Sequence, residues 1–479
     1  MIKPTSCPRH FIAALALAAC FLPAPVAAQS LDGQWASAGY GLIFDLHGQV
    51  LRRFEVTAIS CLADPDSLVR TSDPTPDVEA AFGAPGRPAR LLVLAGADGD
   101  HKRLHPIGTA SDILIHRVRS RPDRCDQPAP NTPLDNFDIF ARTWDEQYIL
   151  FDQKKVDWSG AVRRARAKIT SATPPAELFD ILKGLIEPFH DAHTSVSAPD
   201  LKLRFSGLRA GTDASIPGGL ERLVRAGPET FLMTIQPELY GPGEKLYLES
   251  PLKDWCNGRV RFGMLKGAIG YLRILSFSSY LKDGSYQAER VALDAALDTV
   301  FTNADRMKGL VIDVRINFGG SDPLGLAIAE RLATTEYLAY SKEARADPVD
   351  RTKWTPGQPS RVRPSSRPGF RGPVVELTGP LTISAGETFT QALMGRRPRV
   401  IRVGEATQGV FSDVLGRRLP NGWRFGLPNE VFRTGDGRTF DGEGIPPDVR
   451  VPVFTAADRQ AGKDRALTRA VELIQGTAQ

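Results

Sequence analysis

The stretch Val374–Phe389, VVELTGPLTISAGETF, reads as an apolar strand followed by a helix that starts at Ser384. The spacing Ser384-Ala385-Gly386-Glu387 fits a capping box, in which serine and glutamate satisfy free amides at a helix N-terminus. A serine in this place can equally be a nucleophile held at the mouth of a helix, with the Ala385 amide among the unpaired donors beside it. The stretch alone leaves both readings open.

Working outward, strands and helices alternate. Strands are expected at GAIGYLRILSF (267–277), GLVIDVR (309–315), PVVELTG (373–379) and RVIRVG (399–404). Helices are expected at AERVALDAALDTVF (288–301), PLGLAIAERLA (323–333) and ETFTQALMG (387–395). Such alternation implies an α/β domain with a largely parallel sheet and crossover helices, spanning 255–455. LPNGWRFGLP (419–428) is a hairpin signal through Asn421-Gly422, and a C-terminal helix is expected within 456–479.

Upstream, residues 31–127 hold short β-branched and aromatic runs broken by Gly, Asp and Pro, which argue for a small β-rich domain. The segment 132–198 is helical. Leu134, Phe137, Phe140, Trp144, Tyr148 and Phe151 recur at three- and four-residue steps, and a later helix opens with Thr173 as its cap. Residues 200–260 read as irregular with strands.

A net charge of +5 on 479 residues, with dispersed basic residues, argues against nucleic acid as a partner. Residues 1–28 carry Lys3 and Arg9, a short apolar run and a small-residue tail, the pattern of a secretory signal cleaved after Ala28. LAAC, ending at Cys20, also resembles a bacterial lipobox, so membrane attachment is expected only if Cys20 is lipidated. An exported chain is periplasmic or secreted, where Cys61 and Cys125 can pair and leave Cys256 free; three unpaired thiols are the alternative. No cofactor or metal is expected, because no cysteine–histidine pattern supports a cluster.

In open α/β sheets the chemistry sits beyond the carboxyl ends of the strands. One such end carries Ser384. Another, LVIDVRINFGGSD, runs into Gly319-Gly320, either a plain tight turn or a place where backbone N–H groups approach a bound oxygen. A serine hydroxyl needs a base. No lysine lies between Lys353 and Lys463, and no histidine follows His193, so the HDAH pair His190 and His193 heads a short list.

GLVIDVRINFGG, LTISAGETF, IRVGEATQGVFSD, LPNGWRFGLP and FDGEGIPPDV occur in the order found in the C-terminal processing (tail-specific) serine peptidases, and residues 260–452 resemble that family. The resemblance implies a ClpP/crotonase-like core, a Ser384 acyl-enzyme, and an oxyanion hole from Ala385 and the Gly319-Gly320 turn. Members of the Ser–Lys type carry a lysine where this chain has Val410. The tricorn-like branch instead takes a histidine from the helical cap, which falls on His193 of DAHT, and a glutamate that falls on Asp441. Asp441 is then the residue that orients His193, with Asp191 in reserve. No PDZ-like segment is evident between cap and core. The expected function is an exported serine peptidase acting on peptides or proteins. The alternatives are a non-catalytic carrier using the same cleft for an apolar ligand, as in retinoid-binding relatives, or a small-substrate esterase or amidase.

Overall fold

The alternation builds a seven-stranded sheet, in the order Lys253–Trp255, Val260–Leu265, Ile269–Ile274, Gly309–Asp313, Val374–Thr378, Ile401–Gly404, Val449–Arg450. The last five strands are mutually parallel and the first two are antiparallel additions. Ile269–Ile274, Gly309–Asp313 and Val374–Thr378 are buried along their whole length, which is why they read as continuous apolar runs rather than as alternation. Side chains still sort by the two-residue period. Leu310 and Ile312 meet helices Tyr286–Phe301, Asp322–Glu330 and Ala385–Met394 on one face, while Val311 meets Gln236–Tyr247 and Arg465–Thr477 on the other.

The computed structural model describes Met1 and residues 30–72, 75, 77–212 and 235–477, and Asp32–Gln479 forms one unit, apart from Met1–Leu31. The secretory segment expected before Ala28, with Cys7 and Cys20, lies outside the described residues. None of the described helices is long and apolar enough to cross a membrane.

The N-terminal β-rich region is an antiparallel sheet of nine strands between Gly33 and Val118, in which eight close into a ring because Leu42–His47 pairs with both Gly33–Ser37 and Val50–Val56. Cys61 and Cys125 are joined in a disulfide and Cys256 is free and buried. The helical segment holds Pro133–Gln147, Phe151–Lys154, Trp158–Arg166 and Pro175–Ile186 around an aromatic cluster of Trp144, Tyr148, Phe151, Trp158 and Phe189.

Two expectations are corrected. Thr173 is not the cap of its helix: Pro174 precedes the first turn, and the Thr173 hydroxyl accepts from the Thr170 amide at 2.8 Å. The stretch 200–260 is not merely irregular, since Gln236–Tyr247 forms a twelve-residue helix. Gly241, Pro242 and Gly243 hide it in the sequence, but burial of Leu239 and Tyr240 against the sheet outweighs their poor helical propensity.

The helical segment reaches the core through one strand. Ser195–Ala198 pairs with Arg424–Pro428, half of the hairpin around Asn421-Gly422, with Ser195 opposite Gly426. That pairing fixes where His193, two residues upstream, must lie.

Candidate active site

Ser384 sits at φ 56° and ψ −121°, not in the extended conformation that an N-cap takes. A residue other than glycine rarely holds a positive φ unless its surroundings force it. Here they do. Ile316–Asn317 pairs in parallel with Leu381–Thr382, and the Ile383 amide donates to the Asn317 carbonyl at 2.9 Å. Thr382 donates its hydroxyl to the Val314 carbonyl at 2.7 Å. The chain is pinned on one side of Ser384 by these bonds and on the other by helix Ala385–Met394.

Gly319 presses against this turn. A Cβ on Gly319, whose φ is 76°, would lie 2.7 Å from the Ser384 Cβ and 3.1 Å from the Ala385 nitrogen. The two glycines, equivalent in sequence, differ in hydrogen bonding. The Gly319 amide donates to Asn317 Oδ1 at 2.9 Å. Among the described residues the Gly320 amide has no such partner, and neither has that of Ala385 at the first position of its helix.

Glu387 makes the carboxylate half of the capping box, accepting from the Ser384 amide at 3.3 Å. It also accepts from Gly409 at 2.6 Å and Val410 at 2.8 Å, so the box extends into the loop where Ser–Lys relatives carry their lysine. Burial pushes the Glu387 carboxyl up to about 7, against the pull of the Thr407 hydroxyl and these two amides. Its own amide donates to the Ser384 carbonyl at 2.7 Å.

His193 packs against the continuation of that loop, beside Ser412 and Asp413. The ring is 8% exposed, and Nδ1 is buried without a hydrogen-bond partner among the described residues. Burial lowers its pKa; the charges of Asp191 and Asp413, together with the Ser412 carbonyl, work in the opposite direction. The imidazole is therefore neutral and able to accept a proton at neutral pH. Its companion from the HDAH pair, His190, is exposed and in a left-handed turn.

The two candidate acids are both buried, in different settings. Asp191 accepts from the His193 amide at 2.8 Å and from the Tyr148 hydroxyl at 3.2 Å, and its charge acts on the imidazole. Asp441 accepts from the Phe411 amide at 3.2 Å and the Thr439 hydroxyl at 2.8 Å, and burial pushes it up to about 7. Its hydrogen bonds go to the loop and not to the histidine.

Two residues of this site were given no role by the reading of motifs: Asn317, although it stands in the strand-end motif, and Lys342. Asn317 holds the glycine turn, donating to the Ile274 carbonyl at 3.0 Å as it accepts from Gly319. Lys342, from strand Tyr337–Ala344, is buried beside Asp413 (2.5 Å) and Glu430 (3.1 Å). Those carboxylates and Asp322 raise the lysine well above its usual value despite burial, so it is held as a cation and cannot replace the missing base. Arg315, at the first strand end, belongs to the scaffold: it pairs with Asp313 at 2.7 Å and Asp464 at 2.8 Å, fully buried. Among the described residues, no group of acidic, histidine and cysteine side chains could hold a metal.

The model of peptidase family S41 matches residues 268–451. Carboxyl-terminal-processing peptidase 2, chloroplastic, of Arabidopsis thaliana is 25% identical over 244 residues, covering 50% of this chain and 42% of that protein. The match thus spans less than half of the curated relative. A crystal structure of a candidate peptidase from Parabacteroides merdae superposes with a TM-score of 0.58 at 25% identity, over 72% of this chain and 97% of that one. Mature CPAF complexed with lactacystin superposes with a TM-score of 0.50 at 13% identity, over 72% and 98%, a likeness of fold. The five parallel strands, the glycine turn and Ser384 all lie inside residues 268–451, the part of this chain that matches peptidase family S41.

Proposed function

We propose that the protein is an exported serine peptidase that cleaves peptide bonds through a Ser384 acyl-enzyme, on a core of the ClpP/crotonase type. The observation that carries this reading is the left-handed Ser384 backbone packed on Gly319, with unpartnered amides at Gly320 and Ala385. A capping serine needs none of this.

In this mechanism His193 accepts the Ser384 proton as the hydroxyl oxygen bonds to the scissile carbonyl carbon. The amides of Gly320 and Ala385 hold the resulting oxyanion, Gly319 being engaged with Asn317. The C–N bond then breaks, and the imidazolium returns its proton to the leaving amine. Water, activated by the same imidazole, releases the acyl group. Asp191 is the acid that stabilises the imidazolium, since its charge faces the ring; Asp441 instead fixes the loop 409–411.

Labelling with a fluorophosphonate probe tests the assignment. The full chain is expected to label and Ser384→Ala not to. Labelling that persists in the variant, or is absent from the native chain, refutes it. Export is supported by the charged, apolar and small-residue order of positions 1–28, and sequencing the mature N-terminus checks cleavage after Ala28.

A further inference from the structure

Strand Val414–Arg418 continues directly from the loop beside His193 and is the edge of a four-stranded sheet. Its free side faces a cavity of about 380 Å³ between the barrel and the core. Register decides which backbone groups look into that cavity. Leu419 donates to the Trp423 carbonyl at 2.9 Å, and alternation along the antiparallel pair makes Arg417–Phe425 and Leu415–Leu427 the next bonded pairs. Val414, Gly416 and Arg418 therefore direct their N–H and C=O groups outward. Two bonds agree with this: the Arg418 amide donates to Glu55 at 3.0 Å, and Arg417 Nη1 donates to the Gly416 carbonyl at 3.2 Å. Val414 and Gly416 are exposed, and a Cβ on Gly416 would meet nothing within 4 Å. An exposed edge with open backbone groups is a template for one more strand.

The cavity is also charged. Arg53, Lys342, Arg417, Arg418 and Arg424 line it against Glu55, Asp413 and Glu430. Lys342 is matched by Asp413 and Glu430, and Arg53 and Arg418 by Asp64. Arg417 and Arg424 make no ion pair among the described residues. Arg417 is 5% exposed, and among the described residues its guanidinium hydrogen-bonds only carbonyls, those of Tyr40 and Gly416. Glu55 and Glu146 act on Arg417 without pairing with it directly, and a buried guanidinium in that state favours a carboxylate partner.

We propose that an extended acidic peptide segment docks here as an added strand along Val414–Gly416, with a glutamate or aspartate carboxylate received by Arg417 and Arg424. The proposal deepens the peptidase reading and rests on it for the fate of the bound segment. At about 3.3 Å per residue, Gly416 and Arg417 lie roughly 13–17 Å along the chain from Ser412, the residue beside His193.

Binding separates the two ideas, because it needs no turnover. The Ser384→Ala full chain is titrated with fluorescein-labelled decapeptides that carry one Glu at successive positions of a neutral sequence, or Gln in the same place. One register of Glu is expected to bind at least about tenfold tighter than its Gln counterpart at low salt. Arg424→Glu is expected to abolish that preference, and Gly416→Pro, which removes an outward N–H, to weaken both peptides. Equal binding of Glu and Gln peptides in every register overturns the proposal, as does a preference that survives Arg424→Glu. Failure of the native chain to label with fluorophosphonate would instead remove the peptidase reading and leave the binding result standing.

Discussion

The barrel and the active-site loop treat histidine in opposite ways. In the barrel, His47, His101 and His105 each lie within 2.9 Å of an aspartate oxygen, from Asp45, Asp98 and Asp112. Each of those imidazoles has one ring nitrogen set against a carboxylate that holds a turn or strand. His193 is more deeply buried than any of them, yet keeps a ring nitrogen without a partner. Leaving a buried polar atom unpaired costs about 1–3 kcal/mol, and a fold tolerates this most readily where the atom has work to do. An imidazole set against a neighbouring carboxylate serves the fold, whereas a buried one with an open nitrogen is available to chemistry.

The contrast is broken most directly at position 193. His193→Ala is expected to lower kcat/KM on a cleaved peptide by roughly 10⁴–10⁶. The matching change in the barrel, His105→Ala, is expected to stay within about twofold while costing about 1 kcal/mol of stability. Comparable losses from both would show that burial does not mark the base.

Next in size are the two glycines. Gly320→Ala strains a backbone at φ 132° and brings a Cβ within 2.4 Å of the Phe277 carbonyl, disturbing the proposed oxyanion donor. Activity is expected to fall by about 10²–10³. Gly319→Ala should lose a similar amount for a different reason, displacement of Ser384 itself. Weakened fluorophosphonate labelling therefore accompanies Gly319→Ala more than Gly320→Ala.

Asp191 and Asp441 sharpen the comparison through pH. His193 is held below the usual histidine value of about 6.5, and only the neutral ring is a base, so kcat/KM should fall on acidification with a midpoint below that value. Asp191→Asn removes a charge that favours the imidazolium. The midpoint should then move lower still and kcat fall about 10–100-fold. Asp441→Asn should leave the midpoint in place. The opposite pattern in the two pH profiles would give the orienting role to Asp441.

The smallest effect concerns stability. Burial pushes Glu376 up to about 7, and its Oε2 lacks a hydrogen-bond partner among the described residues. Because the folded value lies above the unfolded one, its contribution is full below the unfolded pKa of about 4.5 and is lost as pH rises through about 7. Glu376→Gln should flatten this decline and raise stability at pH 8 by about 1–2 kcal/mol, read from guanidinium midpoints. A slope identical to that of the native chain would show that Glu376 does not titrate in this range.

Much of this organisation was legible in the sequence. The core strands are continuous apolar runs because both faces are covered, and the Asn421-Gly422 hairpin announces itself by composition. The helix at Gln236–Tyr247 was not legible, since its glycine and proline residues speak against it and only contact with the sheet holds it. Lys342 was likewise silent, as it belongs to no pattern, and Asn317, though part of the strand-end motif, acquires its role only from the Ile274 carbonyl and the Gly319 amide.

By itself the sequence determined which residues could do chemistry: a serine at a strand-to-helix junction, a glycine pair at another strand end, one histidine motif and no lysine where relatives carry one. These follow from local spacing and composition, which a linear chain records. Only the tertiary structure decided that Gly319 spends its amide on Asn317 while Gly320 does not, that His193 sits beside Asp191 rather than in contact with Asp441, and that Val414–Arg418 presents an open edge. Each is a matter of which partner occupies a given hydrogen-bonding direction, and that is set by strand register and packing between segments far apart in the chain.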